Sequence, residues 1–196
     1  MPDWYIGSCE KIEYMFPKAH AAAYVMMAWR IAYCKLYYPL EYYAAYFSVR
    51  ADNFSYGTMC QGKAPLEALM TQMIARSDIL SKKEQDTLKD MRSVQEMYAR
   101  GIEFVPIDLN VAQANKFTIV DGKIMPALSS IEGLGVKAAE SIAKAVREEI
   151  ILSVDQLKKK AGVGDSVIAL LDQFGILDGM PKSDQISLFD EGGACQ

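Results

Sequence analysis

The chain has 196 residues, of which 51% are hydrophobic and 23% are charged. This content is sufficient for a buried core in one domain or in two small ones, and it excludes a wholly disordered chain. The formal net charge of −4 argues against an extended basic surface. Residues 172–196 carry five acidic residues and one lysine, so the first 171 residues are neutral overall.

The cysteines and the longest apolar run bear on where in the cell the chain is expected to lie. Cysteines at positions 9, 34, 60 and 195 show no C-x-x-C spacing, and the single histidine is His20. This pattern indicates neither a zinc site nor a disulfide framework, and the expected location is a reducing cytoplasm. The run 19–38 contains His20, Arg30 and Lys35, which favours a buried helix over a membrane span. We therefore expect no membrane partner.

Prolines and apolar periodicity mark the helices of the first hundred residues. Pro17 is suited to the first turn of a long helix that Pro39 must end, and Pro39 can begin the next helix. Charged and apolar residues recur at helical spacing over 65–75 and 82–100, which predicts two amphipathic helices. Gly101 is the predicted cap at the end of the second.

The pattern changes after Gly101. β-Branched and aromatic residues occur at 104–109 and 117–125, and Asp121-Gly122 indicates a two-residue hairpin turn. From Ser129 the chain is predicted to be helical again, and a flexible tail is expected after Pro181. The predicted fold is mainly α with a small β-hairpin, divided into regions 1–101, 102–180 and 181–196.

A glycine turn lies between two predicted short helices at residues 129–142. Gly133 and Gly135 allow a positive φ and remove Cβ atoms, so successive backbone N–H groups can converge on one phosphate oxygen. Such contacts hold a duplex without reading its sequence. Gly133, Leu134 and Gly135, with Lys137 nearby, are therefore the candidate DNA-binding residues, and the alternative is a plain turn in a packed domain.

A second Gly-x-Gly, Gly162-Val163-Gly164, follows about thirty residues later. This spacing would permit paired hairpins on one duplex. The second motif lacks the Ile-x-Gly sequence that precedes the first glycine turn, which favours a plain turn. A neutral body neutralises few phosphates, so DNA binding by this chain alone is expected to be weak.

The tail contains Gln185-Ile186-Ser187-Leu188-Phe189. Apolar residues on a flexible tail cannot serve its own core, which favours a pocket on a partner over simple C-terminal packing. The pattern Gln-x-x-Leu-Phe resembles the peptide by which bacterial replication proteins bind the ring-shaped sliding clamp. Gln185, Leu188 and Phe189 are the candidate clamp-binding residues.

Near the N-terminus, Tyr14, Phe16, Lys18 and His20 lie around the first turns of the long helix. Lys18 near the positive end of the helix dipole would add to an anion site for a triphosphate, and His20 could donate a hydrogen bond to it. The alternative is a core helix with a satisfied histidine. Three short segments favour the anion site over the core helix, because they resemble the fingers of bacterial C-family replicative DNA polymerases. They are Phe-Pro-Lys-Ala-His-Ala-Ala-Ala-Tyr, Arg-Ile-Ala-Tyr and Tyr-Pro-Leu.

The resemblance is strongest to the PolC-type polymerase III alpha subunit. The order of fingers, duplex-binding domain with a Gly-Leu-Gly helix-hairpin-helix, and clamp peptide agrees with that family up to Asp190. It implies that Lys18 and His20 face the phosphates of the incoming dNTP, while Tyr14 and Phe16 flank the nascent base pair. The implied partners are primer-template duplex, dNTP, the sliding clamp and the remaining polymerase domains.

The same resemblance indicates what this chain lacks. Phosphoryl transfer in the family depends on palm aspartates that hold Mg²⁺, and no carboxylate here matches that signature. We expect a fragment that has no cofactor of its own and is inactive alone, because the Mg²⁺ belongs to the absent palm. Two alternatives stay open, a stand-alone helix-hairpin-helix module and a non-catalytic clamp adaptor.

Overall fold

The computed structural model describes residues 1–12 and 17–183. The chain divides into two compact units, Met1–Tyr42 and Tyr43–Gln196. The predicted contacts at Tyr14 and Phe16, and those at Gln185, Leu188 and Phe189, lie outside the described residues.

Two helices belong to the first unit, α1 (Asp3–Glu10) and α2 (Lys18–Tyr37). Pro17 precedes α2 and Tyr38 leaves the helical conformation after it, as the prolines predict. Helix α3 (Pro39–Val49) begins at the second proline. The prediction that the long helix is buried is wrong for this chain, because every residue of α2 is exposed except Lys35, which is half-buried.

The second unit opens with helices packed around methionine and leucine side chains. Helices α4 (Tyr56–Met59) and α5 (Lys63–Ile74) follow α3, and α5 packs against α6 (Lys82–Ala99). The N-terminus of α6 has a capping box between Ser81 and Glu84. At its C-terminus, Gly101 takes φ +76° and the N–H of Ile102 reaches back to the carbonyl of Met97. This Schellman arrangement confirms the predicted glycine cap.

The predicted β-hairpin is present. Strands β1 (Thr118–Val120) and β2 (Lys123–Met125) pair antiparallel with Ile119 opposite Ile124. Asp121 and Gly122 both have positive φ, 49° and 74°, as a type I′ turn requires. The fold is therefore mainly α with one small two-stranded sheet. Phe104 adds only an isolated bridge to Ile124.

An aromatic cluster links the two sides of residue 101. Phe47, Phe54, Phe104 and Phe117 have ring centroids 5.0–6.5 Å apart. These side chains belong to α3 and to segments before and after α6, so residues 43–100 and 102–125 share one core. The boundary between functional regions at 101–102 stays a prediction.

The end of the described chain is a compact helical region with α7 (Val136–Glu148), α8 (Val154–Ala161) and α9 (Asp165–Gln173). Its core contains Leu134, Ile142, Leu157 and Leu171. The helix expected from Ser129 is instead a single 3₁₀ turn, Leu128–Ser130, followed by extended Ile131. The expectation of a helix there is wrong because the N–H groups of Ser130 and Ile131 donate three residues back, to the carbonyls of Ala127 and Leu128, and the turn ends at extended Ile131.

Within residues 1–12 and 17–183, no helix combines the length and the apolar content that are needed to cross a bilayer.

Candidate nucleic-acid interface

The first glycine turn has a conformation that explains Gly133 and leaves open space around Gly135. Gly133 takes φ +87°, which L side chains rarely adopt, and Gly135 precedes α7 with φ −66° and ψ 147°. Between them, Leu134 turns inward and is 5% exposed, and its N–H donates to the carbonyl of Ile131 at 3.1 Å. The buried leucine fixes the turn to the core and leaves both glycines at the surface.

The amides at the start of α7 are available to a ligand. The N–H of Ala139 donates to the carbonyl of Gly135 at 3.0 Å, which is the first helical bond. Among the described residues, the N–H groups of Gly135, Val136, Lys137 and Ala138 find no acceptor. Four such groups at the positive end of a 13-residue helix are suited to an anion.

The second glycine turn repeats the conformation of the first. Gly162 takes φ +63° and Gly164 precedes α9 with φ −82° and ψ 170°. Val163 between them is 8% exposed, and its N–H reaches back to the carbonyl of Lys158 at 3.2 Å. The second turn thus shares with the first an inward apolar residue between two glycines and a helix that starts directly after it, and its interpretation as a plain turn stays a prediction.

The two hairpins are neighbours in space. A Cβ built on Gly133 would lie 3.5 Å from Cδ2 of Leu170, a residue of α9. Helix α7 packs against α8, and α8 packs against α9. The start of α7 and the start of α9 therefore belong to one packed body, as the gripping of a single duplex by both turns would require.

A hydrogen bond between Glu132 and Gly57 connects the first hairpin to helix α4, and the sequence did not predict it. The Glu132 carboxylate accepts a hydrogen bond from the N–H of Gly57 at 3.2 Å. A Cβ at position 57 would lie 3.1 Å from the ring of Phe174, so a larger residue there would require this ring to shift by a few tenths of an ångström. Burial of the Cys60 thiol raises its pKa well above its ordinary value, and the negative charge of Glu132 adds a smaller effect in the same direction. Cys60 is therefore held as an uncharged thiol.

Charge is distributed unevenly around the hairpins. At the second turn, Lys158 pairs with Asp165 at 2.5 Å, and Lys160 pairs with Glu149. At the first turn, Lys137 is exposed and has no carboxylate partner among the described residues. Lys159 in the last turn of α8 also has no carboxylate partner in the described part of the chain, so each turn has one unpaired lysine beside it.

Lys18 and His20 lie at the start of α2, where both are exposed. The His20 ring contacts the ring of Tyr24 one turn later, with centroids 4.4 Å apart. No three His, Cys, Asp or Glu side chains in the described part of the chain cluster as metal ligands.

Comparison with known proteins relates the chain to a single kind of protein. Residues 101–186 match the helix-hairpin-helix motif family. The chain is 46% identical over 96% of its length to the DNA polymerase III PolC-type of Bacillus subtilis. It is 46% identical over 97% of its length to that of Staphylococcus epidermidis, and 43% identical over 96% to that of Caldanaerobacter subterraneus.

The match includes the N-terminal segment, which a stand-alone hairpin module would leave unexplained. The chain spans only 13–14% of the length of these relatives. Along almost its whole length, the chain is thus homologous to a segment of PolC-type DNA polymerase III.

Proposed function

We propose that this chain grips duplex DNA by its backbone within a PolC-type replicative polymerase. The observation that carries the proposal is the repeated turn, in which both Gly-x-Gly segments bury their central residue and open a helix N-terminus. Amides that point outward beside exposed glycines can contact phosphate oxygens, because no Cβ keeps the backbone away. Contacts of this kind give binding that does not depend on sequence.

The proposal is tested by adding bulk where the backbone must approach the phosphate. Gly135→Val and Gly164→Val place side chains beside the open amides at negative φ, where valine is sterically allowed. Each hydrogen bond to a charged group contributes about 1.5–3 kcal/mol, so each variant should weaken duplex binding roughly 10-fold or more. Fluorescence anisotropy with two duplexes of unrelated sequence measures the loss, which should be equal for both.

The matched control is Gly7→Val, since Gly7 also has open space around its Cβ position but lies on α1. This variant should bind as the unaltered chain does. Unchanged affinity of both hairpin variants would refute the role of the turns. A loss for Gly135→Val alone would assign DNA binding to the first hairpin only.

We propose further that the N-terminal region contacts the incoming nucleotide. The support is the resemblance of residues 16–24 to polymerase fingers, together with the exposure of Lys18 and His20 on the first turn of α2. Lys18 and His20 would contact the triphosphate of the dNTP. Tyr14 and Phe16 would flank the nascent base pair.

His20→Ala in the full-length polymerase tests this role. Loss of a phosphate contact should raise the KM for dNTP, lower the turnover rate, or both. Lys11→Ala, at an exposed position after α1, is the control and should leave both constants unchanged. If His20→Ala also leaves both unchanged, the assignment fails.

For the tail, we propose that Gln185, Leu188 and Phe189 bind the bacterial sliding clamp. The support is the Gln-x-x-Leu-Phe pattern alone. Leu188→Ala with Phe189→Ala should abolish clamp binding in surface plasmon resonance, because the two apolar anchors are lost together. Glu191→Ala is the control, and retained binding by the double variant would place the clamp ligand elsewhere.

The chemistry of nucleotide transfer, in this proposal, belongs to polypeptide outside this chain. Palm carboxylates there would hold the Mg²⁺ ions that act on the primer and the triphosphate. The chain alone should bind DNA without incorporating nucleotides. Primer extension by the isolated chain would overturn this part of the proposal.

A further inference from the structure

A groove runs along one flank of α7, away from its N-terminal amides. It has a volume of about 620 Å³ and is formed by side chains of α7 and by residues 113–116. Its lining includes three cations, Lys116, Lys144 and Arg147. Asn115 lines the same wall as Lys116.

The cations of this groove are less compensated than other lysines of the same unit. Lys116 and Arg147 have no carboxylate within ion-pair distance among the described residues, and Lys144 reaches Glu148 only at 3.8 Å. By contrast, Lys123 pairs with Glu103 at 2.7 Å, and Lys158 and Lys160 of α8 are paired as described above. The flank of α7 therefore offers unpaired positive charge to an anionic partner.

The groove is continuous with the first hairpin. Lys137 and Lys144 are seven residues apart, so they lie within about 20° of each other around α7 and about 10 Å apart along it. Asn115 also lines a smaller cavity of about 280 Å³ that includes Ser129 and Val136 at the start of α7. A backbone held by the hairpin amides could therefore extend along this flank.

Two carboxylates lie within the groove, Glu140 and Glu148. Glu140 is on α7 between Lys137 and Lys144, and its Oε1 accepts a hydrogen bond from the side-chain amide of Asn115 at 3.0 Å. Its charge opposes the binding of an anion. The effect of removing that charge therefore reports on whether an anion binds there.

We infer that this groove is a second contact for the phosphodiester backbone of the DNA duplex, with Lys116, Lys144 and Arg147 as phosphate ligands. The inference rests on the proposed function, because it extends the hairpin contact along the same helix. It predicts that the strength of binding and its salt dependence are set partly by residues outside both glycine turns.

The test is the salt dependence of duplex binding by the full 196-residue chain. The variant Lys116→Gln/Arg147→Gln removes two exposed charges without disturbing any buried side chain. Each phosphate contact contributes about 0.9 to the slope of log affinity against log salt, so the slope should become shallower by up to about 1.8. Affinity at 0.1 M NaCl should fall by roughly 10-fold or more.

The matched control is Lys83→Gln/Arg92→Gln, which removes the same charge from exposed positions of α6. It should leave the slope within the error of the measurement. A second variant of the same experiment should raise the affinity for duplex DNA instead of lowering it. Glu140→Gln keeps an acceptor for Asn115 and removes the opposing charge, so it should tighten binding by at least twofold, which an unfolded variant cannot do.

The outcomes separate the two proposals. If the hairpin variants weaken binding but Lys116→Gln/Arg147→Gln matches its control in slope and affinity, the groove is not a DNA contact and the proposed function stands. If Glu140→Gln leaves affinity unchanged, the groove proposal also fails. If the unaltered chain does not bind duplex DNA at all, the proposed function fails and the groove proposal fails with it.

Discussion

The two glycines of the first hairpin should differ in their contribution to stability. Gly133→Ala and Gly135→Ala add the same methyl group two residues apart. At Gly133 the backbone has φ +87°, whereas at Gly135 it has φ −66°. Only the first conformation is unfavourable for an L residue, so the comparison isolates backbone strain from side-chain size.

The magnitudes follow from the geometry. A Cβ on Gly133 would meet Leu170 at 3.5 Å, an ordinary contact, so the cost is the left-handed backbone alone, about 1–2 kcal/mol. A Cβ on Gly135 would meet nothing within 4 Å. At position 135, alanine caps the helix less well than glycine, which destabilises the fold by up to about 1 kcal/mol. Alanine also lowers the entropy of the unfolded chain, which stabilises the fold by about 0.4–1 kcal/mol. The net change at Gly135 should stay within about 0.5 kcal/mol.

Urea denaturation followed by far-ultraviolet circular dichroism measures both changes. Gly133→Ala should lower the midpoint at an unchanged m-value, and Gly135→Ala should not. Gly133→Asn is a useful companion, because asparagine tolerates the left-handed region and should recover part of the loss. Equal destabilisation by Gly133→Ala and Gly135→Ala would show that the positive φ is not the reason for the first glycine.

Three further substitutions test the packing and the buried polar groups of the second unit. Leu134→Ala should cost about 2–5 kcal/mol of unfolding free energy, because the side chain is 5% exposed and truncation leaves a cavity. Tyr98→Phe should cost about 1–2 kcal/mol, because the hydroxyl donates to the carbonyl of Met59 at 2.9 Å. Burial raises the pKa of the Asp90 carboxyl above its ordinary value, so the folded state favours the protonated form. The stability that this preference contributes is fully present at pH below about 3.8 and is lost as pH rises through the raised pKa. Asp90→Asn keeps an acceptor for the N–H of Asn53, and its stability should therefore fall less than that of the unaltered chain between pH 4 and 7.

Exposed positions provide the controls for these measurements. Ile150→Ala and Tyr33→Phe make the same kinds of change where the side chains are 82% and 54% exposed, and both should stay within about 0.5 kcal/mol. Losses of equal size at the buried and exposed positions would contradict the reasoning from burial. Parallel pH profiles for Asp90→Asn and the unaltered chain would remove Asp90 from the pH dependence.

Local signals in the sequence were sufficient to predict much of this fold. Pro17 and Pro39 mark the starts of two helices because proline has no N–H and fixes φ. Gly101 and the Asp121-Gly122 pair take the positive φ values that their positions predict. In each case a single residue decides a backbone angle, and no distant contact is required to interpret it.

One prediction failed at the segment before Gly133. It forms a single 3₁₀ turn, in which the hydrogen bonds reach three residues back and Ile131 then takes an extended conformation, and no local signal in the sequence marks this ending. The sequence before the second turn differs from that before the first, which favours a plain turn, and the sequence alone does not decide between a plain turn and a DNA-binding hairpin. What the two turns share is a buried apolar residue between glycines that begin a helix, and that shared pattern was visible in both.

Helix α2 shows how the sequence of a segment can reflect the whole protein. Its apolar composition predicted burial, yet Trp29 is 76% exposed, Tyr24 66% and Met26 58%. Burial of one large apolar side chain contributes about 1.5–3 kcal/mol, so this surface forgoes several kcal/mol in the chain alone. The relatives are about seven times longer than the segment they share with this chain. In the proposed polymerase, the remaining domains would cover part of α2, since apolar surface of this extent is stable only against a partner. The apolar composition of α2 then reflects selection on the full-length protein, and for this reason burial in this chain alone could not be predicted from it.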